Sequence, residues 1–275
     1  MKRAAAFFRY LAMTLLGLLF IFPIVFLFVS SLKPENLVAR DMSTLMAFVP
    51  REVSFQNYFD VFHEMPFHRF MLNSIIIVGC IVIIGILVNS MAAYAFSRLK
   101  WKGRDTILGI IIATMIIPFE AISIPLLLEV NKFHWIDTYF VQIIVFIATP
   151  LYIFLFYQFF LGIPRDIETA AKIDGAGSWI IFFEIILPIS KPVIATVAIL
   201  NFIQQWGNFL WPLMVTRGFE VRPLPVAMQD FFGMMPRIWG DIMAFASMIT
   251  IPVLILFFVF QKWFIKSVAS SGIKG

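Results

Sequence analysis

The chain has 275 residues, of which 61% are hydrophobic and 13% charged, with a formal net charge of +5; soluble domains hold roughly 45–50% apolar and about 25% charged residues. That leaves too little polar surface to coat a soluble globule, while 33 Phe exclude a disordered chain and a single cysteine, Cys80, excludes a disulfide framework. The basic excess contains no long Lys/Arg block, which suits a membrane edge better than nucleic acid.

A helix needs about 20 apolar residues to cross a bilayer core. Residues 1–9, with Lys2, Arg3 and Arg9, read as a cytoplasmic N-terminus before a first apolar run over 10–32. That run exceeds the roughly 7–15 apolar residues of a signal peptide and lacks a small-x-small cleavage site, so it is expected to be retained. Further runs follow over 70–97, 106–128, 138–162, 190–214 and 242–262, and none shows the period-2 alternation of barrel strands. The predicted fold is therefore an all-α membrane protein with six transmembrane helices over 10–265. Thirteen of the 21 basic residues share the side of the N-terminus and eight lie opposite, placing both termini, including the tail 266–275, in the cytoplasm. Outer segments 33–69 and 217–241 are long enough to hold structure of their own.

Within the third run stands Glu120, the one acidic residue inside a span, between Pro118 and Pro125. An intramembrane carboxylate is a candidate for a solute path, unless it lies at the interface or bonds a neighbouring helix. Asn201, Gln204, Gln205, Trp206 and Asn208 form the richest polar and aromatic group in any apolar run. The amides follow an i, i+3, i+4, i+7 spacing, which predicts one common helical face. Amides beside an aromatic ring suit a neutral polyhydroxyl solute; they serve equally as glue to a second membrane subunit.

Between the fourth and fifth runs, residues 163–189 carry their own helix punctuation. Pro164 suits a helix start, Asp166 and Glu168 favour its positive end, Lys172 comes late and Gly175 offers a left-handed stop. The spacing predicts a helix of about ten residues, then a second helix capped by Ser178 and closed or kinked at Pro188. So short a helix is not stable alone in water, and Ala170 with Ala171 permits close approach of another surface. An amphipathic helix lying on lipid headgroups is the alternative, but Asp166, Glu168 and Asp174 outnumber Arg165 and Lys172, a balance that an anionic leaflet repels.

The string Glu168-Thr169-Ala170-Ala171-Lys172-Ile173-Asp174-Gly175-Ala176, followed by Ile185-Ile186-Leu187-Pro188, resembles the EAA loop of permease subunits of bacterial ABC importers. Thr169 stands where that motif has its glutamate, with Glu168 one residue earlier. The likeness extends to Asn73-Ser74, Ser90-Met91-Ala92-Ala93-Tyr94-Ala95-Phe96, Phe209-Leu210-Trp211-Pro212 and Trp239-Gly240-Asp241, and is nearest to the carbohydrate-type permeases, the group of the smaller maltose permease. The resemblance implies that the loop docks on a cytoplasmic ATPase through Glu168, Thr169, Ala170, Ala171, Lys172, Asp174 and Gly175. It also implies that the tail Ser271, Gly272, Ile273, Lys274 and Gly275 reaches between two ATPase copies. The further expected partners are a sister permease, as a heterodimer, and an extracytoplasmic solute-binding protein, with a sugar, oligosaccharide or polyol as cargo.

No G-x-x-x-x-G-K-[ST] loop occurs, so ATP and Mg are expected on a partner and no cofactor on this chain. His63-Glu64-Met65-Pro66-Phe67-His68 is one residue too long for a zinc H-E-x-x-H helix, and Pro66 would break it. His134 reads as an ordinary hydrogen-bonding residue. No paired carboxylates or nucleophile dyad stand within the runs, so no catalytic or metal site is expected. An ATP-independent secondary transporter or channel for a polar solute is the competing reading of such a chain.

Overall fold

The computed structural model describes residues 2–271, with side chains placed over 6–261. Helices make up its regular structure, and no strand occurs among the described residues. In chain order come α1 (Lys2–Ser31), α2 (Glu35–Asp41), α3 (Gln56–Glu64), α4 (Phe67–Arg98), α5 (Arg104–Ala113), α6 (Phe119–Lys132), α7 (Tyr139–Ile144) and α8 (Pro150–Leu161). They are followed by α9 (Asp166–Ile173), α10 (Ser178–Ile180), a π-helical turn (Ile181–Ile186), α11 (Leu187–Ile189), α12 (Lys191–Trp206), α13 (Leu210–Val215), α14 (Leu224–Gly233) and α15 (Trp239–Ser271).

Three stretches are continuous and apolar enough to cross a membrane: Ala6–Ser31, Phe67–Arg98 and Trp239–Gln261, with mean hydropathy 2.7, 2.8 and 2.6. The other three predicted runs are interrupted. α5 and α6 form a pair bent by 102°, because Pro118 has no N–H to give and holds Ile117 extended at ψ 114°. In the 138–162 run, Pro150 opens α8 and keeps Thr149 extended. Asn89 of α4 fills the gap, accepting from the Thr149 N–H at 2.8 Å and donating to the Ile147 carbonyl at 3.0 Å. In the 190–214 run, α12 ends at Trp206 and α13 begins at Leu210. Upstream, Ser178–Ile189 meets Lys191–Trp206 at a bend of 77°, and counting this pair and the α5–α6 pair as one crossing each gives up to five by length and composition.

The chain divides into two compact units, Met1–Arg69 with Ala227–Leu254, and Phe70–Val226 with Ile255–Gly275. In the first, the segment after α1 is organised by buried polar groups. Asn57 donates to the carbonyls of Ser31 and Lys33 at 2.8 Å each, and the hydroxyls of Ser31, Tyr58 and Ser247 stand in a chain at 2.8 and 2.9 Å. Glu35 accepts from the first N–H groups of α15, at Trp239 and Gly240, placing an anion at a positive helix end. Gly240 is required there, since a Cβ would lie 2.7 Å from the Asn57 amide.

The second unit is built around Tyr94 of α4, Phe156 and Phe160 of α8, Ile181, Phe182 and Ile186 of the π turn, and Val197 of α12. The π turn has a local cause: Pro188 lacks the N–H that would close an α-helical bond to Glu184, so the register loosens before the proline. A smaller cluster sets Trp211 of α13 against Val130 and Val141, with its indole N–H donated to the Val141 carbonyl at 3.0 Å. The histidines of the zinc-like string fall on separate helices, His63 on α3 and His68 on α4, parted at Met65–Pro66. No metal-holding cluster of His, Cys, Asp and Glu occurs among the described residues.

Candidate functional site

α9 is shorter than the spacing predicts, at eight residues, but its ends are built from the expected groups. Asp166 and Glu168 occupy its first turn and Lys172 its last. Gly175, at φ +86°, turns the chain left-handed, with its N–H bonded to the Lys172 carbonyl and the Ala176 N–H to the Ala171 carbonyl. This pair of bonds is a Schellman stop. Ser178 does not cap the following helix: Gly177 holds the N-cap position and no side chain bonds there. A backbone already extended at Gly177 needs no hydroxyl to turn it into the helix.

The helix has two chemically different sides. Glu168 and Ala171 are buried, whereas Thr169, Ala170, Lys172, Asp174 and Gly175 are exposed, as is Ile173 at 81%. The Thr169 hydroxyl turns back to the Arg165 carbonyl at 3.1 Å. Beyond the glycine, Trp179 and Phe183 stack with centroids 6.0 Å apart and extend the exposed apolar surface.

What holds α9 in place is Arg98, the last residue of α4. Its Nε lies 3.2 Å from Glu168 Oε1, and the two side chains are only 2% and 8% exposed. Its Nη2 donates to the carbonyl oxygens of Ile163, at 2.8 Å, and Phe160. Phe160 lies in the last turn of α8 and Ile163 two residues beyond it, at a helix end where a cation is favoured. One guanidinium therefore ties α4, α8 and α9 together. Arg98 counts in the sequence only as a topology-setting charge. The signal available is its place directly after an apolar run, with Asp166 and Glu168 in the first turn of a small helix further on.

Of the residues expected at the tail, Gly272, Ile273, Lys274 and Gly275 lie outside the described residues, and Ser271 is described by its backbone alone. The expected path residues are only partly brought together. Asn201, Gln205 and Trp206 of α12 are buried, and Asn208 donates to Gln205 Oε1 at 3.0 Å. Gln205, Trp206 and Asn208 line a cavity of about 10 Å³ against α4, which is room for about one water. Asn201 Nδ2 lies 3.5 Å from the Ile81 carbonyl, and its Oδ1 has no partner. Gln204 departs from this group: it is exposed and accepts from the Tyr152 hydroxyl at 2.8 Å. The i, i+3, i+4, i+7 spacing spreads over more than a narrow stripe, and packing of α12 against α8 draws the i+3 amide aside. Trp206 stacks on Phe202 at 5.2 Å. Glu120 is exposed in the first turn of α6, just past the bend.

The family described as binding-protein-dependent transport system inner membrane component matches residues 81–270. The arabinooligosaccharides transport system permease protein AraQ of Bacillus subtilis (strain 168) is 32% identical over 262 residues, covering 95% of this chain and 93% of that protein. The trehalose transport system permease protein SugB of Mycobacterium tuberculosis (strain CDC 1551 / Oshkosh) is 32% identical, covering 92% of each. Among solved structures, one of a bacterial ABC transporter involved in the import of the acidic polysaccharide alginate superposes with a TM-score of 0.87 at 25% identity, over 96% of this chain and 97% of that one.

Proposed function

This chain belongs to the binding-protein-dependent transport system inner membrane component family, and from that premise we propose how its parts divide the work of an ATP-driven importer. It is a multi-pass permease subunit of the inner membrane and not an enzyme; ATP and Mg are bound and turned over on two partner ATPase subunits. Six crossings, three of them broken, place both termini in the cytoplasm. α12 with α13 makes the fifth crossing and α7 with α8 the fourth. A sister permease pairs with it as a heterodimer, and a solute-binding protein delivers a sugar, oligosaccharide or polyol from outside. That cargo class is supported by the relatives' carbohydrate substrates and by the amides of α12.

The observation that carries the coupling role is the two-sidedness of α9. Its outer side, Thr169, Ala170, Lys172, Asp174 and Gly175 with the apolar Ile173 among them, is open for an ATPase cleft, while its inner side is locked to α4 and α8 through Arg98. A rigid displacement of α9 by the ATPase would therefore reach the membrane helices without first deforming the loop. The tail Ser271–Gly275 adds a second contact between the ATPase copies. Gln204, Asn208 and Glu120, the polar groups with open sides, are the residues proposed to meet solute.

The decisive experiment is ATP hydrolysis and uptake by the complex reconstituted with its binding protein, scanned over a panel of sugars. Stimulation by a subset of sugars is expected, and Gln204→Ala with Asn208→Ala lowers uptake while the assembly stays intact. Uptake that continues with the ATPase subunits removed would overturn the importer reading.

A further inference from the structure

At the same end of the second unit as α9, the α4–α5 connection and the residue preceding α9 enclose an open cavity of about 440 Å³. Lys100, Arg104 and Arg165 line it, opposed by a single acid, Asp105. Arg104 Nε is committed to Asp105 Oδ1 at 2.8 Å. Among the described residues Lys100 and Arg165 have no hydrogen bond or ion pair through their side chains, and Arg165 adds to the positive field felt by nearby Arg98. Two cations from segments some 65 residues apart thus converge on one cavity without a protein anion to neutralise them.

Two features indicate what supplies the anion. The wall of the cavity is Trp101, which packs on Phe96 at 5.5 Å and donates its indole N–H to the Ala95 carbonyl at 3.1 Å, an amphipathic ring held where an aromatic belt residue sits. Beyond the cavity, α5 exposes Ile107 and Ile110, an apolar strip that water would not cover but an acyl chain would. A basic cavity, an indole on its wall and an apolar strip one turn along α5 from Arg104 are the complements of a phospholipid's parts.

We propose that this cavity binds the phosphate headgroup of an anionic phospholipid, with an acyl chain along Ile107 and Ile110. Lys100 and Arg165 contact the phosphate. Because Arg165 is the residue preceding α9, occupancy connects the lipid composition of the membrane to the segment proposed to couple with the ATPase. The lipid assignment itself goes beyond the proposed function and does not depend on it.

The test is native mass spectrometry of the whole transporter purified from nanodiscs of phosphatidylcholine with and without phosphatidylglycerol. The wild type is expected to retain phosphatidylglycerol, and Lys100→Gln with Arg165→Gln to lose it roughly fivefold for each charge removed. Asp105→Asn, which frees Arg104, is expected to retain more than wild type, so the two variants move in opposite directions. A millimolar excess of inorganic phosphate should leave retention unchanged; displacement by it would assign the site to free phosphate. Equal phosphatidylglycerol retention by wild type and the Gln variant overturns the proposal. So does loss of the ATPase subunits with lipid retention unchanged, which would make this face a protein contact.

Discussion

Replacing Glu168 by Gln tests the connection between α9 and the membrane helices most directly. The change keeps the side-chain shape but leaves Arg98, whose side chain is 2% exposed, without its counter-charge. Removing one partner of a buried ion pair costs about 3–5 kcal/mol. The lower end applies, because the carbonyls of Phe160 and Ile163 still accept from the guanidinium. Arg98→Ala is the harsher change, since it also removes charge-assisted bonds worth about 1.5–3 kcal/mol each. The double variant Arg98→Ala with Glu168→Gln should be less damaged than the sum of these two single variants, with a coupling energy of at least ~1 kcal/mol. Thermal unfolding of the solubilised complex measures the stability term. Solute transported per ATP hydrolysed measures the coupling, and this ratio should fall in Glu168→Gln while the ATPase subunits remain bound. Additive single effects together with an unchanged ratio would refute the argument that this pair transmits motion.

Three further outcomes are expected. Gly175→Ala places a Cβ on a residue at φ +86°, costing roughly 1–2 kcal/mol and loosening the end of α9, read as faster proteolysis of the 174–178 segment. Gly240→Ala would drive a Cβ to 2.7 Å from Asn57, an amide already held by two backbone carbonyls; overpacking of this kind costs about 1–3 kcal/mol and should appear as a lower unfolding midpoint. Burial pushes the Asp41 carboxyl up, but hydrogen bonds and charge from Arg40 and Lys33 outweigh it and hold it below its ordinary value of 3.8. A depressed carboxyl contributes its stability above the ordinary value and loses it as pH falls through the folded one. Asp41→Asn should therefore be less stable than wild type at neutral pH, with the difference closing below about pH 3.8.

α9 was legible because its ends depend on residue types with strong local consequences: acids in the first turn, a lysine in the last, and a glycine where only a left-handed residue serves. The membrane character was legible from composition alone. The breaks at Ile117–Pro118, Thr149–Pro150 and Gly207–Phe209 were not, since a hydropathy run registers the transfer of side chains into lipid and is blind to whether the backbone stays helical. Asn89, which bridges one of these breaks, carries the same signal as Asn201, an amide in an apolar run, but has no second amide at helical spacing to mark a face. Arg98 was hidden for a different reason. Its role depends on α8 and α9 meeting it from more than 60 residues away, and no local pattern records such a meeting.

α1 has a consequence for how the protein is made. An 18-residue apolar window of Ala6–Ser31 has no buried residue, and the residues that engage its far end, Phe48 and Tyr58, follow it in the chain. As the nascent polypeptide emerges, this helix can partition into the bilayer as an autonomous element, its backbone bonds closed internally and its apolar side chains already in their final solvent. The later helices, several of them broken and dependent on one another, then insert after a segment whose place in the membrane is already settled.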